Sequence, residues 1–147
     1  MFKMFEWCRA TPDEVRRTLP GDEVIPYPIG SATNAITIDV PPDHVWPWLV
    51  QMGCDRAGWY SYDHLDNAGR HSATTINPAW QHLAIGDVMP SAPGVRDAFV
   101  VMNFTPGTML LLGVPNVNTA GPAGTQGENR RSVVVHGIHH HLFGTSN

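Results

Sequence analysis

The feature that most constrains this chain is a change in composition near Val114. Before it, patterned apolar segments alternate with turns, whereas the stretch from Asn116 to Arg131 is mainly Gly, Asn, Thr, Pro, Ala and Gln. Such a stretch has too little apolar surface to offset the entropy lost on ordering. We therefore expect an N-terminal extension with a short helix at 1–34, a folded region at 35–114, and a divergent, disordered tail at 115–147.

Length and charge limit the classes of protein that this chain can belong to. Its 147 residues suffice for one domain with a sizeable core, but not for two. The 14 glycines and 13 prolines divide the chain into short elements, which excludes a long coiled coil and most helix bundles. The net charge of −4 and the single lysine, Lys3, argue against a nucleic-acid partner, because such affinity comes mainly from neutralising phosphates.

The sequence also carries signals about its compartment. No apolar run approaches the roughly 20 residues that a membrane span needs, and Glu6 lies where a signal peptide would be apolar. Cys8 and Cys54 are too few for a disulfide framework and lack CxxC spacing. We expect a cytoplasmic protein without a membrane span.

Local patterns predict short helices in the first half of the chain. Thr11 as N-cap, Pro12 at the first helical position and Glu14 as the capping-box acid predict a helix that lasts until Leu19. A second helix is predicted at Asp43–Met52, where it would cover a sheet. Shorter helical turns are predicted at Trp59–Leu65 and, opened by Asn77, at 78–80.

Other patterns predict strands that are separated from the helices. Ala35–Val40 alternates apolar and polar residues, which predicts a strand, and a second short strand is predicted at Ile85–Met89. Ala98–Phe104 and Met109–Val114 flank a turn containing Pro106 and Gly107, which is typical of a β-hairpin. Without βαβ alternation, this order predicts an α+β fold with an antiparallel sheet.

Aromatic residues with polar tips are concentrated between the second helix and residue 80. Such side chains can line an apolar cavity and still offer a ligand one or two hydrogen bonds. The alternative is that the rings simply form the core. The candidate ligand-binding residues are Trp46, Trp59, Tyr60, Tyr62, Asp63 and Trp80.

Two groups of residues are weaker candidates for chemistry. Asp63 and His64 offer a carboxylate and an imidazole for acid–base catalysis, but neighbours on a helix face different ways, so a solvated or capping role is the alternative. His136 and His140 would share a helical face as metal ligands, but the residues around them look strand-like and no Cys or carboxylate there completes a site. The alternative is adventitious affinity for nickel or zinc without a function. We expect no cofactor, since no phosphate-binding glycine pattern is present.

The sequence contains seven distinctive segments: Ala10–Val15, Leu19–Glu23, Ala35–Asp39, Pro41–Gly53, Gly58–Asp63, Pro78–Gln81 and Ile85–Asp87. Together they resemble bacterial proteins of the SRPBCC superfamily, the START-like, polyketide cyclase/dehydrase-like group. The resemblance spans roughly Arg9 to Val114 and is most specific from Trp46 to Asp63. It implies a helix-grip fold, in which an antiparallel sheet curves round a long C-terminal helix and encloses a hydrophobic cavity.

The chain departs from that family after Val114. Family members continue with further strands and a long amphipathic helix, and Pro115–Asn147 shows neither pattern. We expect the segment at 35–114 to be a partial SRPBCC domain, with a tail such as a frameshifted or truncated reading frame would produce. Val133–Val135 could add one substitute strand, and homo-oligomerisation could cover the open sheet.

The resemblance leaves three functions open. The first is binding of a small hydrophobic molecule, such as a lipid or polyketide, in a START-like cavity. The second is a cyclase or dehydratase acting on an apolar substrate with Asp63 or His64. The third is a truncated, non-functional or self-associating remnant.

Overall fold

The structure is a computed structural model that describes residues 10–25, 30–94 and 98–114, together with the backbone of a strand at 133–137. Helices come first and strands follow, which confirms the α+β class with an antiparallel sheet. The sheet has four strands in the order β1-β2-β3-β4. The elements are α1 (Pro12–Arg16), a 3₁₀ turn (Asp22–Val24), α2 (Pro42–Val50), α3 (Asp63–Asp66), a 3₁₀ turn (Pro78–Trp80), β1 (Val88–Pro90), β2 (Ala98–Thr105), β3 (Met109–Gly113) and β4 (Val133–Gly137).

The start of α1 is the capping box that its sequence predicts. Glu14 N donates to Thr11 Oγ1 at 3.3 Å, and Thr11 N donates to Glu14 Oε2 at 2.7 Å. These two bonds satisfy backbone donors that have no partner inside the helix. The helix then ends at Arg16, three residues before the predicted end at Leu19.

The predicted strand at Ala35–Val40 is wrong. The structure assigns no strand to these residues, and the side chain of Ile36 is 70% exposed. Alternation gives a segment one apolar face, but a strand also needs a neighbouring strand to complete its hydrogen bonds. At the edge strand β1, the carbonyl of Pro90 accepts a hydrogen bond from Cys54 N at 2.9 Å, not from the segment at 35–40.

The predicted β-hairpin is confirmed as β2 and β3, closed by a bond from Thr108 N to Thr105 O at 3.0 Å. Its register contains a bulge: Val101 lies opposite Leu112, whereas Asn103 lies opposite Leu111, so Met102 is the extra residue. A bulge reverses which side chains face which side of a strand. It therefore brings Phe104 onto the same face as Val101.

That face of the sheet carries the core. Met89, Val101, Leu110 and Leu112 are buried in one cluster, each contributing roughly 1.5–3 kcal/mol by leaving water. Half-buried side chains from α2, the loops and β2 pack against it: Trp46, Leu49, Trp59, Leu83, Phe99 and Phe104. The expectation that the second helix would cover a sheet is confirmed.

The additional strand expected near Val133 is also confirmed, because β4 pairs antiparallel with β3 in the register Leu111–Val135. The remainder of the predicted tail, 115–132 and 138–147, lies outside the described residues, as does Cys8. Within the described ranges, no helix combines the length and apolar character that a membrane crossing requires.

Candidate functional site

A tight loop follows α2 and leads into four of the six predicted ligand-binding residues. Gly53 and Gly58 close this loop by donating to each other's carbonyls at 3.1 and 3.0 Å, and both have positive φ angles, 128° and 85°. Glycine adopts such angles without steric cost. Cys54, a free and fully buried cysteine, bonds the loop to β1. The loop thus fixes the positions of Trp59 and Tyr60, which follow it in the chain.

Trp59 is directed towards the sheet. Its Nε1 donates to Pro90 O at 3.0 Å, and its ring lies edge-on to Phe99 with centroids 5.3 Å apart. From α2, Trp46 lies 6.3 Å from Phe104 on the same face. We call Trp46, Trp59, Phe99 and Phe104 the sheet-face cluster. All four rings are half-buried, so each packs on the core while keeping some accessible surface.

Tyr60 occupies a different place. Its ring lies edge-on to Trp48 at 5.8 Å. Because successive helix residues are rotated by about 100°, Trp48 points roughly 200° away from Trp46 and hence away from the sheet. Tyr60 has a φ of 57°, an uncommon value for a residue other than glycine. Trp48 and Tyr60 form what we call the outer corner.

Gln51, which the sequence analysis missed, joins this corner to the following segments. It is fully buried, and its Nε2 donates to Tyr60 Oη at 2.5 Å and to Thr75 O at 3.3 Å. Its Oε1 accepts from Asn77 N at 3.0 Å and from Gln81 Nε2 at 3.4 Å. The only signal was a glutamine between the apolar Val50 and Met52, and its partners 9 to 30 residues away could not be deduced from that.

Asp63, a candidate for both binding and catalysis, is tied to Ser72. Its Oδ1 accepts from Ser72 Oγ at 2.6 Å and its Oδ2 accepts from Ser72 N at 3.0 Å. These bonds, followed by the nearby His71 at 3.5 Å, hold the pKa of the Asp63 carboxyl below its ordinary value despite some desolvation. His64 is exposed on α3, and the imidazole that faces Asp63 belongs to His71.

Trp80 packs with a cation rather than with the other aromatic rings. The Arg56 guanidinium lies 4.7 Å from its ring centroid, and Arg56 Nη2 also donates to Val50 O at 2.9 Å. Burial lowers the pKa of Arg56, an effect that the charge of Asp87 opposes. Tyr62 is 59% exposed.

The sequence also offers His136 and His140 as candidate metal ligands. His136 lies on β4 in register with Leu110, and His140 lies outside the described residues. Over the ranges that the structure covers, no three His, Cys, Asp or Glu side chains are grouped so that they could hold a metal.

The structure therefore distributes the six predicted ligand-binding residues over several places. Trp46 and Trp59 lie in the sheet-face cluster, Tyr60 lies at the outer corner, Trp80 packs on Arg56, Asp63 is bonded to Ser72, and Tyr62 is exposed. No family model, curated protein or solved structure matches the chain.

Proposed function

We propose that the protein binds a small hydrophobic molecule, such as a lipid or polyketide, against the sheet-face cluster. The observation that carries this proposal is the half-burial of four aromatic rings over one face of the sheet. Binding sites for small apolar molecules are lined mainly by such rings, with few polar groups. Trp59 Nε1 is already bonded to Pro90, so the cluster would offer mainly apolar contact.

We also propose that the α+β fold is a helix-grip fold. α2 packs across one face of an antiparallel sheet, and the bulge at Met102 brings Phe104 to that face. This arrangement supports a helix-grip architecture of the SRPBCC type, in which the concave sheet face contacts the ligand. The resemblance of the segment from Trp46 to Asp63 is its other support.

The enzymatic alternative has less support from the geometry. A general acid must release a proton near neutral pH, whereas the lowered pKa of Asp63 keeps its carboxyl ionised there, which leaves only the role of a base. Both of its oxygens also accept hydrogen bonds from Ser72. These contacts favour a role for Asp63 in fixing the segment after α3.

The test is a fluorescence titration of the full chain with cis-parinaric acid, a fatty acid with a fluorescent, apolar polyene chain. We expect saturable binding that Phe104→Ala weakens about tenfold, because truncating the ring removes apolar contact. Tyr62→Ala is the matched control, since it removes a ring of similar size from an exposed position. Absence of saturable binding, or equal effects of the two variants, would contradict the proposal.

A further inference from the structure

The hydrogen bonds of Gln51 determine how its amide is oriented. Asn77 N can only donate, so the atom facing it must be the acceptor Oε1. Thr75 O can only accept, so the atom facing it must be Nε2. The assignment of oxygen and nitrogen, which is otherwise ambiguous in an amide, is therefore fixed by two backbone groups.

This orientation leaves the Tyr60 hydroxyl proton unused. Since Gln51 Nε2 donates to Tyr60 Oη, the phenolic oxygen is an acceptor in that bond. Its own proton must point elsewhere, and in the described part of the chain no oxygen accepts it. Tyr60 is 40% exposed, so solvent reaches this residue. In the free protein, water would take the bond.

The surroundings of this donor are aromatic and fixed. Trp48 is half-buried beside the Tyr60 ring, and Tyr60 N is bonded to Ser72 Oγ at 3.2 Å. That bond accompanies the uncommon positive φ of Tyr60, and unusual backbone conformations of this kind are concentrated at functional sites. A donor held by a buried amide beside an aromatic surface can fix the orientation of a flat ligand.

We propose that the outer corner is a second binding site, in which Tyr60 Oη donates a hydrogen bond to a carbonyl or similar acceptor oxygen of a flat aromatic molecule. The ring of that molecule packs against Trp48. The site lies on the side of α2 opposite the sheet-face cluster, so it does not depend on the apolar site proposed above.

The test compares 9-fluorenone with fluorene, two probes of similar ring structure of which only the first has a carbonyl. Their affinities for the full chain are measured by equilibrium dialysis. We expect fluorenone to bind about fivefold more tightly, the contribution of one hydrogen bond. Tyr60→Phe removes this preference and leaves the affinity for fluorene unchanged, which also shows that the variant is folded.

Two control variants separate the sites. Tyr62→Phe removes a hydroxyl from an exposed tyrosine two residues away and keeps the preference for fluorenone. Phe104→Ala alters the sheet-face cluster and should also keep the preference for fluorenone. Equal affinities of the two probes for the unmodified chain, a preference that persists in Tyr60→Phe, or one lost in Phe104→Ala overturns the proposal.

Discussion

Ser72 lies so close to Gly58 that a β-carbon on Gly58 would come within 2.9 Å of the Ser72 Cα. The same serine binds Asp63 through its backbone N and its hydroxyl, and it accepts from Tyr60 N. This contact connects the loop after α2 to the segment after α3. Two of the six candidate binding residues, Tyr60 and Asp63, are therefore positioned by one serine packed on one glycine.

Replacing Gly58 by alanine should be strongly destabilising. Gly58 and Gly86 have similar positive φ angles, 85° and 94°, but the space beside Gly86 is empty. Gly86→Ala should therefore cost only the backbone strain, about 1–2 kcal/mol, whereas Gly58→Ala adds a collision with the Ser72 backbone and should cost about 3 kcal/mol or more. Urea denaturation measures both, and equal losses would show that the contact does not constrain the fold.

Stability should depend on pH through Asp63. Its pKa in the folded state lies below the unfolded value of about 3.9, so its contribution is complete above that pH and is lost as the pH falls through the folded pKa. The hydroxyl of Ser72 is the largest cause of this lowering. In Ser72→Ala the folded pKa should rise towards the unfolded one, so less stability should be lost on acidification.

The measurement is the free energy of unfolding between about pH 6 and pH 2, the range that includes the ordinary carboxyl pKa. Asp63→Asn, which cannot titrate, is the control and should show the smallest acid-dependent loss of the three proteins. An acid profile of Ser72→Ala that parallels the unmodified chain would assign the dependence to other carboxyl groups.

Replacing Gln51 should destabilise the fold more than replacing Gln81, to which Gln51 is hydrogen-bonded. Gln51→Met has similar volume but leaves Asn77 N and Thr75 O without their partner, at a cost of about 1–3 kcal/mol. Gln81→Met gives up two longer bonds, at 3.2 Å to Pro47 O and 3.4 Å to Gln51, and should cost less than about 1 kcal/mol. Thermal unfolding should rank the variants in that order, and the reverse ranking would contradict the assigned network.

The features that the sequence predicts well depend on neighbouring residues. The capping box at Thr11, the cap at Asn77, whose Oδ1 accepts from Ala79 N at 3.0 Å, and the turn at Gly107 are all settled within four residues. The prediction of a strand at Ala35–Val40 is wrong because strand pairing requires a partner distant in sequence, which no local pattern supplies. The buried amide of Gln51 was missed for the same reason.

The candidate site shows the same difference between features set by neighbouring residues and features set by distant ones. Aromatic residues with polar tips were recognised by type, but their separation into a sheet-face cluster and an outer corner depends on two further features. One is the rotation of about 200° between Trp46 and Trp48 on α2. The other is the closed turn from Gly53 to Gly58, which directs Trp59 and Tyr60 to different sides. The bulge at Met102 likewise has no clear signal in the sequence of β2.

The bulge leads to a prediction about two residues on neighbouring strands. A β-carbon at Gly113 would collide with Met102 Sδ and lie 3.1 Å from its Cγ, so the bulged methionine occupies the space that the glycine leaves. Met102 is 39% exposed and its thioether is the far end of a flexible side chain, so it can turn aside, and Gly113→Ala should change the free energy of unfolding by less than about 1 kcal/mol. In a double-mutant cycle with Met102→Ala, measured by urea denaturation, the coupling should stay below about 0.5 kcal/mol. A clearly larger coupling would show that the bulge holds Met102 in place against the new methyl group.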